Sequence, residues 1–578
     1  MLFRILLFSV TTFLVIRALV RHFRRSVISS LPGPTHSSYL ADALISDILL
    51  CYSSYISLTV HVGNFKELTR SPEITDAHIG WSAKYGTAFK IYGEMGVEML
   101  FISDPKAIQY ILNTSGYNFP KPLSNRIGFT IMLGPGIVSA EGTQHARHRK
   151  ILNPAFSFGT LREFLPLFRQ KASKLVNKLK EEIDFTTADP TVVDLVPWLS
   201  RTTLDIIGTA SAEYDFEALD GVQNNKLAQV YNNIFADAIY QMSDINIAMP
   251  YILSKIPSFF TSILTRLPLQ TMSRFRNYMK VATEVAQEVV DKQTHLYLHG
   301  KEGSKDLMSL LVHANLSEDP KTKVAKNEIL AQFTYELRLY ISARPNTKIR
   351  TFFLAGHETT ASALMWASFE LSKHPEWQKK LREEIAKTRS QASERGDMEL
   401  TIADFDSMSH LQAVMKETLR AYPIVPYVLR QAGKDDCIPL SYPVPTVNGE
   451  MISDIPVNRG ERVIISILAY NRLKSIWGED ADEWRPERFL NGNGTHSQVN
   501  LGLIANLATF SSGIRGCIGW RFSLLEMQAI LIELLENFEF SPSPGNVEII
   551  RGSTGVMAPM VKGSTSARTQ LPITLTPL

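Results

Sequence analysis

"FSSGIRGCIG", Phe510 to Gly519, sets one of only three cysteines in a 578-residue chain among glycines and beside an arginine. Gly513 and Gly516 precede Cys517, Gly519 follows it, and a long apolar run, "SLLEMQAILIELLENFEF" (Ser523 to Phe540), begins just after. That run is apolar almost all round, which makes it a core helix. Glycines free the backbone to pass close to a flat ligand. A helix N-terminus stabilises negative charge, and a neighbouring cation eases ionisation of a thiol. Cys517 therefore reads as a thiolate ligand, in a setting that suits haem iron and the ligation that favours O–O cleavage. Arg515 can bind a carboxylate such as a haem propionate. The competing reading is a small hydrophobic cysteine in a turn. The spacing Phe-x-x-Gly-x-Arg-x-Cys-x-Gly, anchored at Phe510, weighs against it.

The rest of the chain sets bounds. It is 45% hydrophobic and 20% charged, ordinary for a globular protein, and long enough for a large core. Sixty basic and 57 acidic residues leave a net charge of +3, which gives no sign of a nucleic-acid surface. Cys51, Cys437 and Cys517 cannot build a disulfide framework, and no CxxC pair exists for zinc. The body is expected to face a reducing compartment.

The N-terminus differs. "MLFRILLFSVTTFLVIRALVRHFRRS" carries 19 residues, Leu2 to Val20, that as a helix would nearly cross a hydrocarbon core of about 30 Å. Arg17, Arg21, Arg24 and Arg25 follow the apolar run, so the body is expected in the cytosol behind one transmembrane anchor spanning residues 1–25. A cleavable signal peptide is the competing reading, but no small-x-small site precedes the arginines. "LPGP" (Leu31 to Pro34) then opens a Pro-rich linker, residues 26–66.

Beyond the linker, helix is in excess of short strands. "TLREFLPLFRQKASKLVNKLKEEI" (Thr160 to Ile183) has amphipathic helical spacing. "ASALMWASFELSKHPEWQKKLREEI" reads as a buried helix, a break at His374-Pro375 and an amphipathic helix. "ERVIISILAY" (Glu461 to Tyr470) reads as a buried strand, and the polar, turn-rich residues 563–578 as a mobile tail. "AGHETT", Ala355 to Thr360, puts a glycine, an acid and two hydroxyls inside an apolar helix. Glycine there costs about 1 kcal/mol, so something needs its space, such as a local opening of the helix. "KETLR" sets Glu417 and Arg420 three apart on one helix face.

These motifs, in this order, resemble the cytochrome P450 family of haem-thiolate monooxygenases, and the resemblance covers nearly the whole chain after the linker. It implies a mainly α fold with small β-sheets over residues 67–562, and haem b with Cys517 as the axial ligand. It implies that Glu358 and Thr359 are the acid–alcohol pair that relays protons on the oxygen side. Glu417, Arg420 and Arg488 of "RPERF" become a structural triad that holds the cysteine loop. His145 and Arg149 of "HARHRK", with Arg430 of "PYVLRQA", become propionate contacts, although many relatives have tryptophan where His145 stands. Substrate lining is expected from Ile127 to Val138, Phe352 to Ala361, Ile424 to Val428 and Thr554 to Met557, all mostly apolar and suited to a lipophilic molecule. No flavin or nicotinamide motif is present, so electrons are expected from a separate NADPH-cytochrome P450 reductase at the endoplasmic reticulum. "WLSRTTLDIIG" and "RTFFLAGHETT" resemble fungal members, which implies secondary metabolism or xenobiotic oxidation. An isomerase or dehydratase on the same fold, needing no reductase, and an inactive product are the other expectations.

Two stretches depart from the family pattern. "ADALISDILLCYSSYISLTVHV" (Ala41 to Val62) interrupts the linker, and "FTYELRLYISARPNTK" (Phe333 to Lys348) stands where one helix should run on, with Pro345 in its middle. Both read as translated introns or gene-model errors, against the alternative of genuine loop insertions. Asn113, Asn315 and Asn493 open glycosylation sequons that a cytosolic body would leave unused.

Overall fold

Helical spacing and short β-rich runs produce a mainly helical body with four small sheets, seen in a computed structural model that describes residues 26–35, 62–70, 73–133, 136–183, 191–221, 244–256, 281, 295, 350–490, 499–553, 555–564 and 568–578. The membrane anchor, both interposed stretches apart from Val62, Asn315, Asn493 and Thr554 lie outside them. Among the described residues no helix is long and apolar enough to cross a membrane.

The helices that build the site are α1 (Thr75–Tyr85), α2 (Leu123–Leu133), α3 (Gly142–Leu152), α4 (Phe158–Glu182), α5 (Leu195–Ala212), α6 (Arg350–Lys373), α7 (Pro375–Glu394), α8 (Ile402–Ser407), α9 (Ser409–Ala421) and α10 (Trp520–Asn537). Three helical expectations hold to within a few residues: α4 against 160–183, the α6–α7 break at His374, and the apolar α10. Pro375 starts α7 where its missing N–H costs nothing.

The strands are β1 (Ala88–Tyr92), β2 (Glu98–Ile102), β3 (Thr191–Asp194), β4 (Tyr427–Gln431), β5 (Asp436–Pro445), β6 (Met451–Val457), β7 (Arg462–Ser466), β8 (Phe538–Pro542), β9 (Ile549–Ser553), β10 (Met557–Val561) and β11 (Pro572–Pro577). The main sheet has the order β1-β2-β7-β4, with β2 and β7 parallel and the outer pairs antiparallel. "ERVIISILAY" is only half a strand. Ser466 Oγ accepts the Ala469 amide at 3.0 Å and turns the chain into a one-turn helix, Ile467–Tyr470.

The expected mobile tail is a correction. Residues 572–577 form β11, the central strand of the order β3-β11-β8, with Ile573 and Leu575 buried. The alternation in "LPITLTPL" supplies that inward face. The C-terminus is therefore part of the catalytic body.

Candidate active site

Cys517 lies just ahead of α10, whose N-cap is Gly519. The loop before it is pinned by its own backbone: Cys517 N–H donates to Phe510 O at 2.8 Å, and Gly516 N–H to Gly513 O at 3.0 Å. Ser512 Oγ donates to Asn113 Oδ1 at 2.6 Å, so this sequon asparagine serves the loop. The glycines are not equivalent. Gly513 has φ +63, and a Cβ there would lie 2.1 Å from the Leu112 carbonyl oxygen. A Cβ on Gly519 would meet only Phe156 at an ordinary 3.7 Å.

The Cys517 side chain is exposed, yet burial pushes its thiol pKa up, against the Gly519 amide and the Arg149 charge. A group both accessible and deeply surrounded lines an interior hollow, not the outer surface. Ala355 on α6 is exposed next to buried Leu354 in the same way, and Val425 is exposed beside buried Ile424. Phe156 stacks on Phe352 of α6 at 6.4 Å and meets Phe522 of α10 edge-on at 6.4 Å, and Arg149 of α3 donates to the Gly516 carbonyl. Helices α3, α6 and α10 thus converge on the cysteine.

The "AGHETT" stretch sits in the middle of an unbroken α6. The expected opening of the helix is not there. The space that Gly356 leaves is taken by Ile207 of α5, whose Cγ1 would be 2.6 Å from an added Cβ. The glycine therefore serves a close helix crossing, reinforced by Thr203 Oγ1 donating to His357 O at 3.1 Å. Thr359 Oγ1 donates back to Ala355 O at 2.7 Å, as hydroxyls inside helices commonly do. Glu358 Oε1 lies 2.9 Å from His357 Nε2, while His357 Nδ1 meets Phe353 O at 2.6 Å. His357 is a partner for the acid that the sequence reading did not single out.

A second cluster gathers charge from four segments. Lys121 Nζ lies 3.2 Å from Glu141 Oε1, and Arg515 pairs with Glu141 Oε2. Arg515 also donates to Gly116 O at 2.5 Å and stands over the Tyr117 ring at 5.0 Å. Tyr117 Oη meets His145 Nδ1 at 3.0 Å. Burial, then Lys121 and Arg515, push His145 down to about 4, so it is neutral at pH 7. Burial pushes Lys121 down to about 8 and Arg430 down to about 10, with Arg515 adding to both. Burial alone would raise Glu141, but Lys121 and Arg515 outweigh it and hold the carboxyl below its usual range.

Three cations, Lys121, Arg430 and Arg515, thus face the Glu141 carboxylate, and Arg149 stands on the Cys517 side of the same cluster. Arg430 is buried, its Nε has no partner, and its described hydrogen bond goes only to Leu429 O. Arg515 Nε is likewise unpartnered. Buried surplus positive charge needs an anion. The two propionates of a haem lying against Cys517 meet that need, so the residues present fit the group. His145, Arg149, Arg430 and Arg515 are all brought to this cluster. Lys121, Glu141 and Tyr117 are members that the sequence reading did not identify, because their partners are far away in the chain.

Glu417, Arg420 and Arg488 come together as a buried network. Arg420 Nε and Nη2 donate to the two Glu417 oxygens at 2.8 Å, and both residues are fully buried. Arg488 Nε lies 3.5 Å from Glu417 Oε2. Arg420 also donates to the carbonyls of Asn471, Ala481 and Glu483 at 2.8, 2.6 and 2.8 Å. Asn471 Nδ2 donates to Thr509 Oγ1 at 2.9 Å, and Thr509 Oγ1 to Leu419 O at 2.7 Å. Thr509 immediately precedes Phe510, so the network physically holds the start of the cysteine loop.

The expected lining segments also meet. Helix α2 packs on α6, β10 packs on α6, and Met557 N–H donates to Ile424 O at 2.8 Å.

A model of the family described as Cytochrome P450 matches residues 57–565. Cytochrome P450 monooxygenase 205 of Postia placenta is 33% identical over 564 residues, covering 96% of this chain and 93% of its own length. A ganoderic acid synthetase of Ganoderma lucidum is 30% identical over 535 residues, covering 90% and 89%. A monooxygenase of the same family from Ampulloclitocybe clavipes is 30% identical over 523 residues, covering 88% and 90%.

Proposed function

The chain belongs to the cytochrome P450 family, and we propose that it inserts one atom of dioxygen into a lipophilic small molecule with electrons delivered by a separate NADPH-cytochrome P450 reductase. As a family member it is an oxidoreductase, a haem-thiolate monooxygenase. The observation that carries the proposal is the accessible yet deeply set Cys517 thiol, at a helix N-terminus.

Haem held by a cysteine thiolate supplies oxygen-activating chemistry when bound. Cys517 would be the ligand, kept in place by the Phe510 carbonyl and, through Thr509, by the Glu417–Arg420–Arg488 network. Gly519 N–H and Arg149 favour the anionic sulfur. Arg149, Arg430 and Arg515 would hold the propionates, with Glu141 and Tyr117 orienting Arg515. On α6, His357 Nε2 and the Glu358 carboxyl can share a proton at 2.9 Å, and the neighbouring Thr359 hydroxyl can hand one on when it leaves Ala355 O. The apolar surfaces of α2, Ile424 to Val428 and β10 exclude water and accept an apolar substrate.

An N-terminal anchor, residence at the endoplasmic reticulum and a role in fungal secondary metabolism or xenobiotic oxidation belong to the same reading, supported by the apolar run at residues 2–20 and by fungal relatives.

The test is the difference spectrum of the reduced, carbon-monoxide-bound protein. A strongly red-shifted Soret band that is lost in Cys517→Ala is expected. Haem uptake without that band in the wild type overturns the proposal. Product formation that persists without reductase would favour an isomerase or dehydratase.

A further inference from the structure

Helix α10 is apolar almost all round, yet it buries an acid. Glu526 has no solvent exposure, and among the described residues neither carboxylate oxygen has a hydrogen-bond partner within ordinary distance. An unpaired carboxylate is strongly disfavoured in such a place. The question is what answers it.

Among the described residues, charged groups on the elements packed on α10 make other pairs. From α4, Arg169 bonds Leu400 O and Glu399, and Lys171 bonds Asp215. From α7, Arg382 bonds the carbonyls of Leu535 and Phe538, and Arg389 bonds Glu536. From α8, Asp404 pairs with Arg395 and Asp406 with Arg521 of α10 itself. Glu539 of β8 is exposed. On α10, Glu533 lies 3.7 Å from Arg389. From α6 the facing group is the Thr360 hydroxyl. That hydroxyl lies 3.0 Å from Ser523 Oγ, one turn before Glu526 on α10.

We infer that Glu526 is a proton-bearing positioning residue: a neutral carboxylic acid that, with Ser523, docks the Thr360 turn of α6 on the helix that follows the cysteine. A neutral acid has both a donor and an acceptor to offer a hydroxyl pair, whereas a carboxylate has only acceptors. Burial raises the acid's pKa well above its ordinary value, against a smaller opposite effect of Thr360. Thr360 directly follows Thr359, so this contact fixes the turn on which the proposed proton relay stands. The importance for oxygen handling rests on that relay. The protonation of Glu526 does not, and the two can fail separately.

Three measurements on the full-length, haem-loaded protein test this. Infrared spectra at neutral pH should show a protonated-carboxyl band that Glu526→Gln removes. A group whose folded-state pKa is raised stabilises fully below its unfolded value and loses that contribution as pH rises through the folded value. The thermal midpoint of wild type should therefore fall relative to Glu526→Gln as pH is raised from about 5 to about 8. Backbone hydrogen exchange across Ala355 to Ser362 should be several-fold faster in Glu526→Leu, which keeps bulk without polarity, and unchanged in Glu526→Gln. No band lost, together with parallel pH profiles, overturns the neutral acid. Equal exchange in both variants overturns the positioning role. A missing thiolate Soret band in wild type would instead strike at the monooxygenase reading and leave these outcomes standing.

Discussion

Replacing Arg420 by lysine keeps the charge and removes the fork, which isolates what the geometry contributes. The guanidinium has five N–H donors, and all five are used: two on Glu417 and one each on the carbonyls of Asn471, Ala481 and Glu483. An ammonium has three donors, so at least two buried acceptors lose their partner. At about 1–3 kcal/mol for each orphaned group, Arg420→Lys should cost about 2–6 kcal/mol. That is a large share of a typical stability of about 5–15 kcal/mol, and, at about 2.1 cal/mol/K of unfolding entropy per residue over 578 residues, should lower the thermal midpoint by roughly 2–5 °C. Because Asn471 links Arg420 to Thr509, the damage should reach the cysteine loop. The assay is paired: the thermal midpoint of haem-loaded protein, and the rate at which its thiolate Soret band is lost on mild heating. Both should move together. A midpoint within about 1 °C of wild type would refute the claim that the fork, and not merely a positive charge, holds this region. A lowered midpoint with an unchanged rate of band loss would refute the link through Asn471 and Thr509.

Other outcomes follow from the same geometry. Gly513→Ala forces a side chain into positive φ and against the Leu112 carbonyl, so little haem-loaded protein should be recovered, whereas Gly519→Ala should fold and incorporate haem. Arg430→Met removes a buried cation with an unpartnered Nε. The apoprotein should gain stability in denaturant titrations, while transfer of haem to an acceptor apoprotein should become faster. With burial holding Lys121 near 8 and Glu141 opposing that effect, the acylation rate of its amine in the apoprotein should level off at lower pH than that of ordinary lysines, and at lower pH still in Glu141→Gln. The sign follows from the lost carboxylate: without it the ammonium is less favoured and more free amine is present. Peptide mapping by mass spectrometry reads this site directly.

The cysteine loop, the "AGHETT" helix and the Glu-x-x-Arg pair were legible because each is local: a few residues at fixed spacing carry the chemistry. Their supports were not. Glu141 reads as an ordinary surface acid in "SAEGTQ", and only folding sets it between Lys121 and Arg515, the latter 374 residues away. Gly356 was legible as a residue that something needs, but the Ile207 that fills its space comes from α5, and no local pattern says so. The tail was misread from its turn-rich start, although the alternating Ile573 and Leu575 announce a strand. Glu526 stood in plain view as an acid inside "SLLEMQAILIELL"; a helix that is apolar all round has no wet face on which to put it. What the sequence withheld was the identity of its neighbour.

The same distinction explains why the site's electrostatics escape a linear reading. Lys121, Arg149, Arg430 and Arg515 come from four separate segments, and none belongs to a basic run that marks a binding face, apart from Arg149 in "HARHRK". Motif positions mark Arg149, Arg430 and Arg515, whereas Lys121 alone reads as an ordinary surface cation. Brought together and partly dried, they make a place where a dianion is stabilised, and in the absence of that anion burial, then Lys121 and Arg515, hold His145 neutral beside them. Neutral His145 can orient Tyr117, and Tyr117 stands against Arg515. A positive His145 would repel the arginine that it helps to place. The helix α3 histidine thus contributes by not being charged, a role that its position in a basic stretch conceals and its surroundings dictate.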